Sequence, residues 1–212
     1  MAESVQSMLS NLTVKAYIET TASERPVPGG GCAAALCAAL AASLGEMVVT
    51  LTVGREKYRA NDAEMVRCGE ALLNYRKKME LYIDRDKDAY EKVLAAYGIS
   101  REPSSMTFRK NEIEKALKMA AIVPAEVAKD AVQIMYLLEA VVQKGNKNAM
   151  TDGITGVLLA RSAALSALLN VKVNLSSIHD DAFKETLEKE VEELAEKARQ
   201  KERDILAWRL SI

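Results

Sequence analysis

The run P-V-P-G-G-G-C-A-A-A, Pro26 to Ala35, constrains this chain more than any other stretch. Pro28 lacks a backbone donor and biases Val27 away from the helical region, so a preceding helix must stop there. Three consecutive glycines, Gly29, Gly30 and Gly31, then carry backbone freedom at an entropic cost that a plain connector does not need. An alanine-rich run follows from Cys32 to Val53, with Glu46 as its only charge. The pattern predicts a buried helix opened by a glycine elbow. Such a start leaves unpaired N–H groups that suit an anionic or carbonyl-bearing ligand. The alternative is a tight loop whose glycines let two helices approach closely. No Gly-Lys-Ser/Thr follows, so the phosphate-loop pattern is absent.

Composition enters where it narrows the architecture. The chain is 49% hydrophobic but only 5% aromatic, with four prolines, which favours helices built from Ala, Leu and Met. The expectation is an all-α bundle of five to seven helices around the buried alanine-rich helix. At 212 residues it reads as a single domain, 1–212, able to bury roughly 70% of its unfolded surface. Cys32 to Val53 is long enough to span a bilayer. Alanine contributes little transfer energy, however, and Gly45 and Glu46 dilute it further, so a core helix is expected and no membrane partner. A net charge of −1 argues against nucleic-acid binding through bulk electrostatics. Cys32, Cys37 and Cys68 show no Cys-x-x-Cys spacing and read as small buried side chains in a reducing compartment. His179 is the only histidine, which argues against a histidine-based zinc site or a Ser-His-Asp triad, and no metal is expected. Met1 to Ser10 is polar and lacks the order of a signal peptide, so a cytoplasmic location is expected.

Taken in order, the chain predicts a first helix over Leu12 to Thr21 with Ser10 or Asn11 as N-cap. Gly54 closes the alanine helix, and a basic loop, Arg55 to Ala60, follows. Asn61 with Glu64 suggests a capping box opening a long helix that ends at Gly98. Its apolar stripe runs Met65, Cys68, Leu72, Tyr75, Met79, Tyr82, Asp86, Tyr90, Val93 and Tyr97, in steps of three and four. Asp86 thus fills a slot meant for an apolar side chain, which is costly unless the carboxylate is paired or hydrogen-bonded. It reads either as a structural aspartate or as a functional one; Asp84 and Asp88 are expected in solvent. A further helix starts near Pro103, is expected to kink at Pro124 and ends at Gly145. Small residues at Ala149, Gly153, Gly156, Ala160, Ala164 and Ala167 predict a helix, to about Leu169, lying close against the alanine helix. An ion pair between Glu46 and Arg161 is expected between the two. Asn170 to Leu175 reads as a short extended link. Asp180 or Asp181 then caps a last amphipathic helix carrying Phe183, Leu187, Val191, Leu194, Ala198, Ile205 and Trp208.

Three patches together resemble the cyclodeaminase/cyclohydrolase family of folate enzymes: Pro26 to Ala35, L-T-V-G-R-E-K-Y (Leu51 to Tyr58) and G-N-K-N-A-M-T-D (Gly145 to Asp152). D-R-D-K-D-A-Y, Asp84 to Tyr90, and N-V-K-V-N-L, Asn170 to Leu175, support the match, which runs through nearly the whole chain. The resemblance implies an all-helical homodimer without metal, acting on tetrahydrofolate with no further cofactor. It implies hydrolysis of 5,10-methenyltetrahydrofolate to 10-formyltetrahydrofolate or, as the alternative, cyclodeamination of 5-formiminotetrahydrofolate. An alternative of another class is a non-catalytic helical dimerisation or folate-binding module. Family members commonly carry Ser where Cys32 stands, and a thiol is the poorer donor.

That chemistry needs a proton carrier and donors that hold the pterin. Asp86 is the first candidate, because burial in an apolar stripe raises a carboxyl pKa, and Asp152 the second, with a simple N-cap as its bland reading. Asn148 and Asn174 are candidate readers of the pterin edge, and Pro28 and Gly29 to Gly31 candidate lining. Arg55 and Lys57 are candidates for the folate carboxylates, and Lys144 and Lys147 for a polyglutamate tail; taken singly, each also reads as a solvated surface charge.

Overall fold

The computed structural model describes residues 8–209, and side chains through residue 207. Met1 to Ser7 and the Trp208 side chain, both used in the sequence reading, lie outside the described residues. Six α-helices and no strand occur among the described residues: α1 Val14–Thr21, α2 Gly30–Thr50, α3 Asp62–Tyr97, α4 Met106–Lys144, α5 Met150–Leu175 and α6 Asp181–Arg209. Short 3-10 turns at Leu9–Asn11, Glu56–Asn61, Pro103–Ser105 and Lys147–Ala149 join them.

The alanine run forms the axis of the bundle. α2 packs against α3, α4 and α5, and α6 covers α4 and α5. Alanines 34, 35, 38, 41 and 42 are buried on it. With methyl groups as the only side chains, neighbouring helices come close: a Cβ on Gly156 would stand 3.1 Å from the Ala41 carbonyl oxygen. Gly45 is tighter still, since its Cβ would lie 2.7 Å from both Leu138 and Leu72, neither of which has solvent to move into. Gly45→Ala should therefore cost about 1–3 kcal/mol of stability through overpacking, read as a lower melting temperature. An unchanged melting temperature would mean the contact is loose. Two segments, Gly30–Thr50 and Lys147–Leu175, are long and apolar enough to cross a bilayer, and 56% and 50% of their most apolar stretches are buried inside the bundle.

Several local expectations need correction. The first helix starts at Val14, and Thr13, rather than Ser10 or Asn11, caps it by accepting the Ala16 N–H at 3.2 Å. Asn61 forms no capping box: its amide donates to the Lys144 carbonyl at 2.9 Å, and Glu64 pairs with Lys144 at 2.7 Å. The basic loop winds into the 3-10 turn Glu56–Asn61 after Gly54, whose φ of +74° favours glycine. Glu46 pairs with Arg76 of α3 at 2.7 Å, and Arg161 with Glu202 of α6 at 3.2 Å, so the Glu46–Arg161 pair does not form. Each of these charges turns to the helix flanking it rather than across the α2–α5 seam, where small residues leave no room for long side chains. Asp180 is the α6 cap, accepting the Phe183 N–H at 3.1 Å.

The largest correction concerns Asn170 to Leu175. α5 continues unbroken through Leu175, so this segment is helix and not an extended link. Val171 and Leu175 are buried four residues apart, while Lys172 and Val173 face out. The alternation of Val and polar residues imitates a strand over six positions, but burial follows the helical period.

Candidate functional site

The glycine elbow meets three helices at one end of the bundle. A cleft of about 310 Å³ lies between Pro26, Val27 and Gly29–Gly31, the α3 residues Asp86, Ala89, Tyr90 and Val93, Ala120 of α4, and Asn170, Val173 and Asn174 of α5. Each of the three glycines has its own neighbour. A Cβ on Gly29 would approach the Pro26 carbonyl oxygen at 3.3 Å, and one on Gly30 the Asn170 amide nitrogen at 3.2 Å. One on Gly31 would fall on the Asp86 carboxylate, with Cγ and Oδ2 at 2.5 Å. The second and third glycines are thus the space into which side chains of α5 and α3 project. Pro28 itself is buried.

The Asp86 carboxylate reaches from α3 to the N-terminal turn of α2. Its Oδ2 accepts a hydrogen bond from the Cys32 thiol at 3.1 Å, and the Cys32 main-chain N–H also donates to it. Part of the donor set expected to face a ligand is therefore taken by Asp86, and the helix dipole favours its charge there. Burial nevertheless dominates and holds its carboxyl above the usual aspartate range, with the Cys32 side-chain and main-chain hydrogen bonds opposing it. A carboxyl raised in the folded state stabilises fully below the unfolded value of about 4, and that contribution is lost as pH climbs through the folded value. The difference in melting temperature, Asp86→Asn minus parent, should therefore grow more positive from about pH 4 to about pH 8. A difference that is flat with pH would contradict a raised carboxyl.

Asp84, expected in solvent, is instead buried at 8% exposure. It accepts the Leu9 N–H at 2.6 Å and the Ser10 hydroxyl at 2.5 Å, so it ties the N-terminal turn to α3. The expectation failed because the partner lies 75 residues away and leaves no local trace. Asp88 is exposed as expected. The anchored segment carries α1, whose Tyr17 is buried beside Cys32 and Asp86; among the described residues its hydroxyl has no hydrogen-bond partner, and burial raises it above the ordinary tyrosine value.

Pro124 has an effect on the cleft that composition could not reveal. α4 runs on through Pro124, whose missing N–H leaves the Ala120 carbonyl without its helical partner. The Asn174 side-chain amide donates to that carbonyl at 2.7 Å. Asn170 likewise donates to the Ser166 carbonyl at 2.9 Å. With both NH2 groups so engaged, both amide oxygens are left to accept from a ligand. Asn170 does not stand out in the sequence because the N-V-K-V-N-L alternation suggests an extended segment. Read as helix, Asn170 and Asn174 fall at i and i+4 on one face, the signal that would have found it.

The remaining candidates sit elsewhere. Arg55, Lys57, Lys144, Lys147 and Asn148 gather beyond the C-terminal end of α2, a helix about 30 Å long. Thr52, Tyr58 and Asn146 organise that end: the Asn146 N–H donates to the Thr52 hydroxyl at 2.8 Å, and the Lys147 N–H to the Tyr58 hydroxyl at 3.1 Å. Lys147 Nζ donates to the Gln143 carbonyl, Lys144 is paired with Glu64, and Arg55, Lys57 and Asn148 are exposed. Asp152 stands in the first turn of α5, where the N-cap is Ala149, so Asp152 is not a capping residue. It lies at the opposite end of α5 from Asn170 and Asn174. Within one chain only Asp86, Gly29, Gly30, Gly31 and Asn174 of the sequence candidates line the cleft; Pro28 is buried and does not line it.

Comparison with known proteins adds a family to this geometry. The family model described as formiminotransferase-cyclodeaminase matches residues 13–193. The chain is 35% identical over 192 residues to a methenyltetrahydrofolate cyclohydrolase of Methylorubrum extorquens, covering 90% of this chain and 92% of that protein. It is 27% identical over 195 residues to the rat formimidoyltransferase-cyclodeaminase, covering 92% of this chain but 36% of that longer protein. The crystal structure of a formiminotetrahydrofolate cyclodeaminase from Thermotoga maritima superposes with a TM-score of 0.84 at 30% identity, over 94% of this chain and 98% of that one. Fold, sequence and the match through both the elbow and α5 agree, and the chain belongs to the formiminotransferase-cyclodeaminase family.

Proposed function

We propose that this chain hydrolyses 5,10-methenyltetrahydrofolate to 10-formyltetrahydrofolate, with Asp86 as the proton carrier. The observation that carries the reading is the raised, cleft-facing carboxyl of Asp86 against the glycine elbow, in a chain that resembles a cyclohydrolase through nine-tenths of its length. The Asp86 carboxylate takes a proton from water as the oxygen adds to the methenyl carbon, giving a tetrahedral carbon between N5 and N10. Collapse breaks the bond to N5, which receives the proton held by Asp86, while the added hydroxyl loses its own proton to leave the formyl group on N10. One proton is released overall. The amide oxygens of Asn170 and Asn174 suit the ring N–H and amino donors of a pterin. Positioning and proton transfer suffice for these steps, so no group beyond the tetrahydrofolate substrate is required.

Cyclodeamination is the second reading, favoured by the Thermotoga maritima structure. There N10 adds to the carbon of the protonated formimino group and gives its proton to Asp86, which passes it to the departing NH2 nitrogen, so that ammonia leaves and the methenyl cation remains. One absorbance assay separates the two: loss of methenyltetrahydrofolate supports hydrolysis, and its appearance from 5-formiminotetrahydrofolate supports deamination. Failure with both substrates would overturn the reading.

A homodimer belongs to the same proposal. Leu40 and Met47 on α2 and Leu158, Leu169 and Val173 on α5 are exposed apolar side chains that a second copy would cover. Laid antiparallel along α2, two copies would bring the cationic loop of one toward the cleft of the other. Arg55, Lys57, Lys144 and Lys147 would then meet the glutamate carboxylates of a polyglutamylated folate. Light scattering should give twice the chain mass of 23.2 kDa; a monomer would contradict this part of the proposal. The three free cysteines support a cytoplasmic setting.

A further inference from the structure

Cys32 has a position that its burial alone does not explain. It is fully buried, and its thiol ends 3.1 Å from the carboxyl oxygen of a residue lining the cleft. A thiol is a weak donor, whereas a hydroxyl at the same place would make a short, charge-assisted bond to a carboxylate. We propose that Cys32 is a positioning residue that sets the proton affinity of Asp86 through this one hydrogen bond, its sulfur keeping Asp86 a stronger base than an oxygen would.

The surroundings leave few competitors for that role. α1 presents Tyr17, whose hydroxyl burial keeps neutral. α4 presents the Ala120 backbone and α5 the uncharged Asn170 and Asn174. α3 itself adds Tyr90 to the cleft, and Asp84, two residues before Asp86, is already engaged by Leu9 and Ser10. Among the described residues no cation lines the cleft. Ionised Asp86 is therefore held by the α2 helix start and the Cys32 donors, so a change of donor strength is felt directly. The thiol also stays a donor: burial first, then the Asp86 charge, pushes its pKa up to about 12. It neither ionises nor competes for the proton in the working range.

The inference rests on the proposed reading of Asp86, and its test keeps the two apart. The ionisation of Asp86 is followed in the ligand-free protein by carbon NMR of labelled aspartate, for the parent, Cys32→Ser and Cys32→Ala. Turnover of methenyltetrahydrofolate is followed against pH for the same three. The midpoint should rise in the order Ser, Cys, Ala, with adjacent variants differing about threefold or more in proton affinity. The acid limb of the kcat profile should move with it. A purely packing role would lower turnover at every pH without moving that limb. Three coincident titrations would overturn the proposal whatever the activity. The expected order in the titration, with neither folate turned over, would leave Cys32 in its role and remove the folate reading instead.

Discussion

Asp86→Asn should cut turnover of methenyltetrahydrofolate by about a hundredfold or more while the protein stays folded. The amide is nearly the same size, can still accept from the Cys32 donors, and carries no charge that burial must penalise. What it loses, in the proposed mechanism, is the ability to take a proton from the attacking water and return it to nitrogen. The result is read from initial rates beside a helical circular dichroism spectrum matching the parent. Activity within about threefold of the parent would remove Asp86 from the mechanism.

Gly31→Ala should approach the same loss by a different route. The new methyl group would stand where the Asp86 carboxylate now sits, so the side chain must swing out of the α2 start and away from the Cys32 donors. A misplacement of about 1 Å at a reacting group is enough for a hundredfold effect. Because the substitution acts through Asp86, it should cost little more in the Asp86→Asn background than that variant costs alone. Additive losses would mean that Gly31 serves something else, such as the substrate itself.

These two residues show what a single sequence can and cannot reveal. Asp86 stood out because it broke a regular apolar stripe, and period is a local property. The long helices were legible for the same reason: α3 ends at Tyr97 with Gly98 as its cap, as the spacing suggests. Gly31 was visible as a special glycine, but its occupant comes from α3, 55 positions on, and periodicity carries no information about which helix faces which. Asp84 and the Glu46 and Arg161 pairs failed on that same ground, since each partner is set by tertiary packing. Asn170 was lost to a six-residue alternation that strands and helix faces both produce. The placement of Arg55, Lys57, Lys144 and Lys147 far from Asp86 within one chain follows from the length of α2, which no motif match encodes.

On the proposed function, a reduced folate binds between the glycine elbow and Asp86. A crystal structure of this protein with a non-hydrolysable tetrahydrofolate analogue tests it most directly. The pterin is expected against Gly29–Gly31 and the amide oxygens of Asn170 and Asn174, with the N5–N10 bridge about 3–3.5 Å from the Asp86 carboxylate. An analogue seated elsewhere on the bundle, leaving the Asp86 cleft unoccupied, would contradict the account.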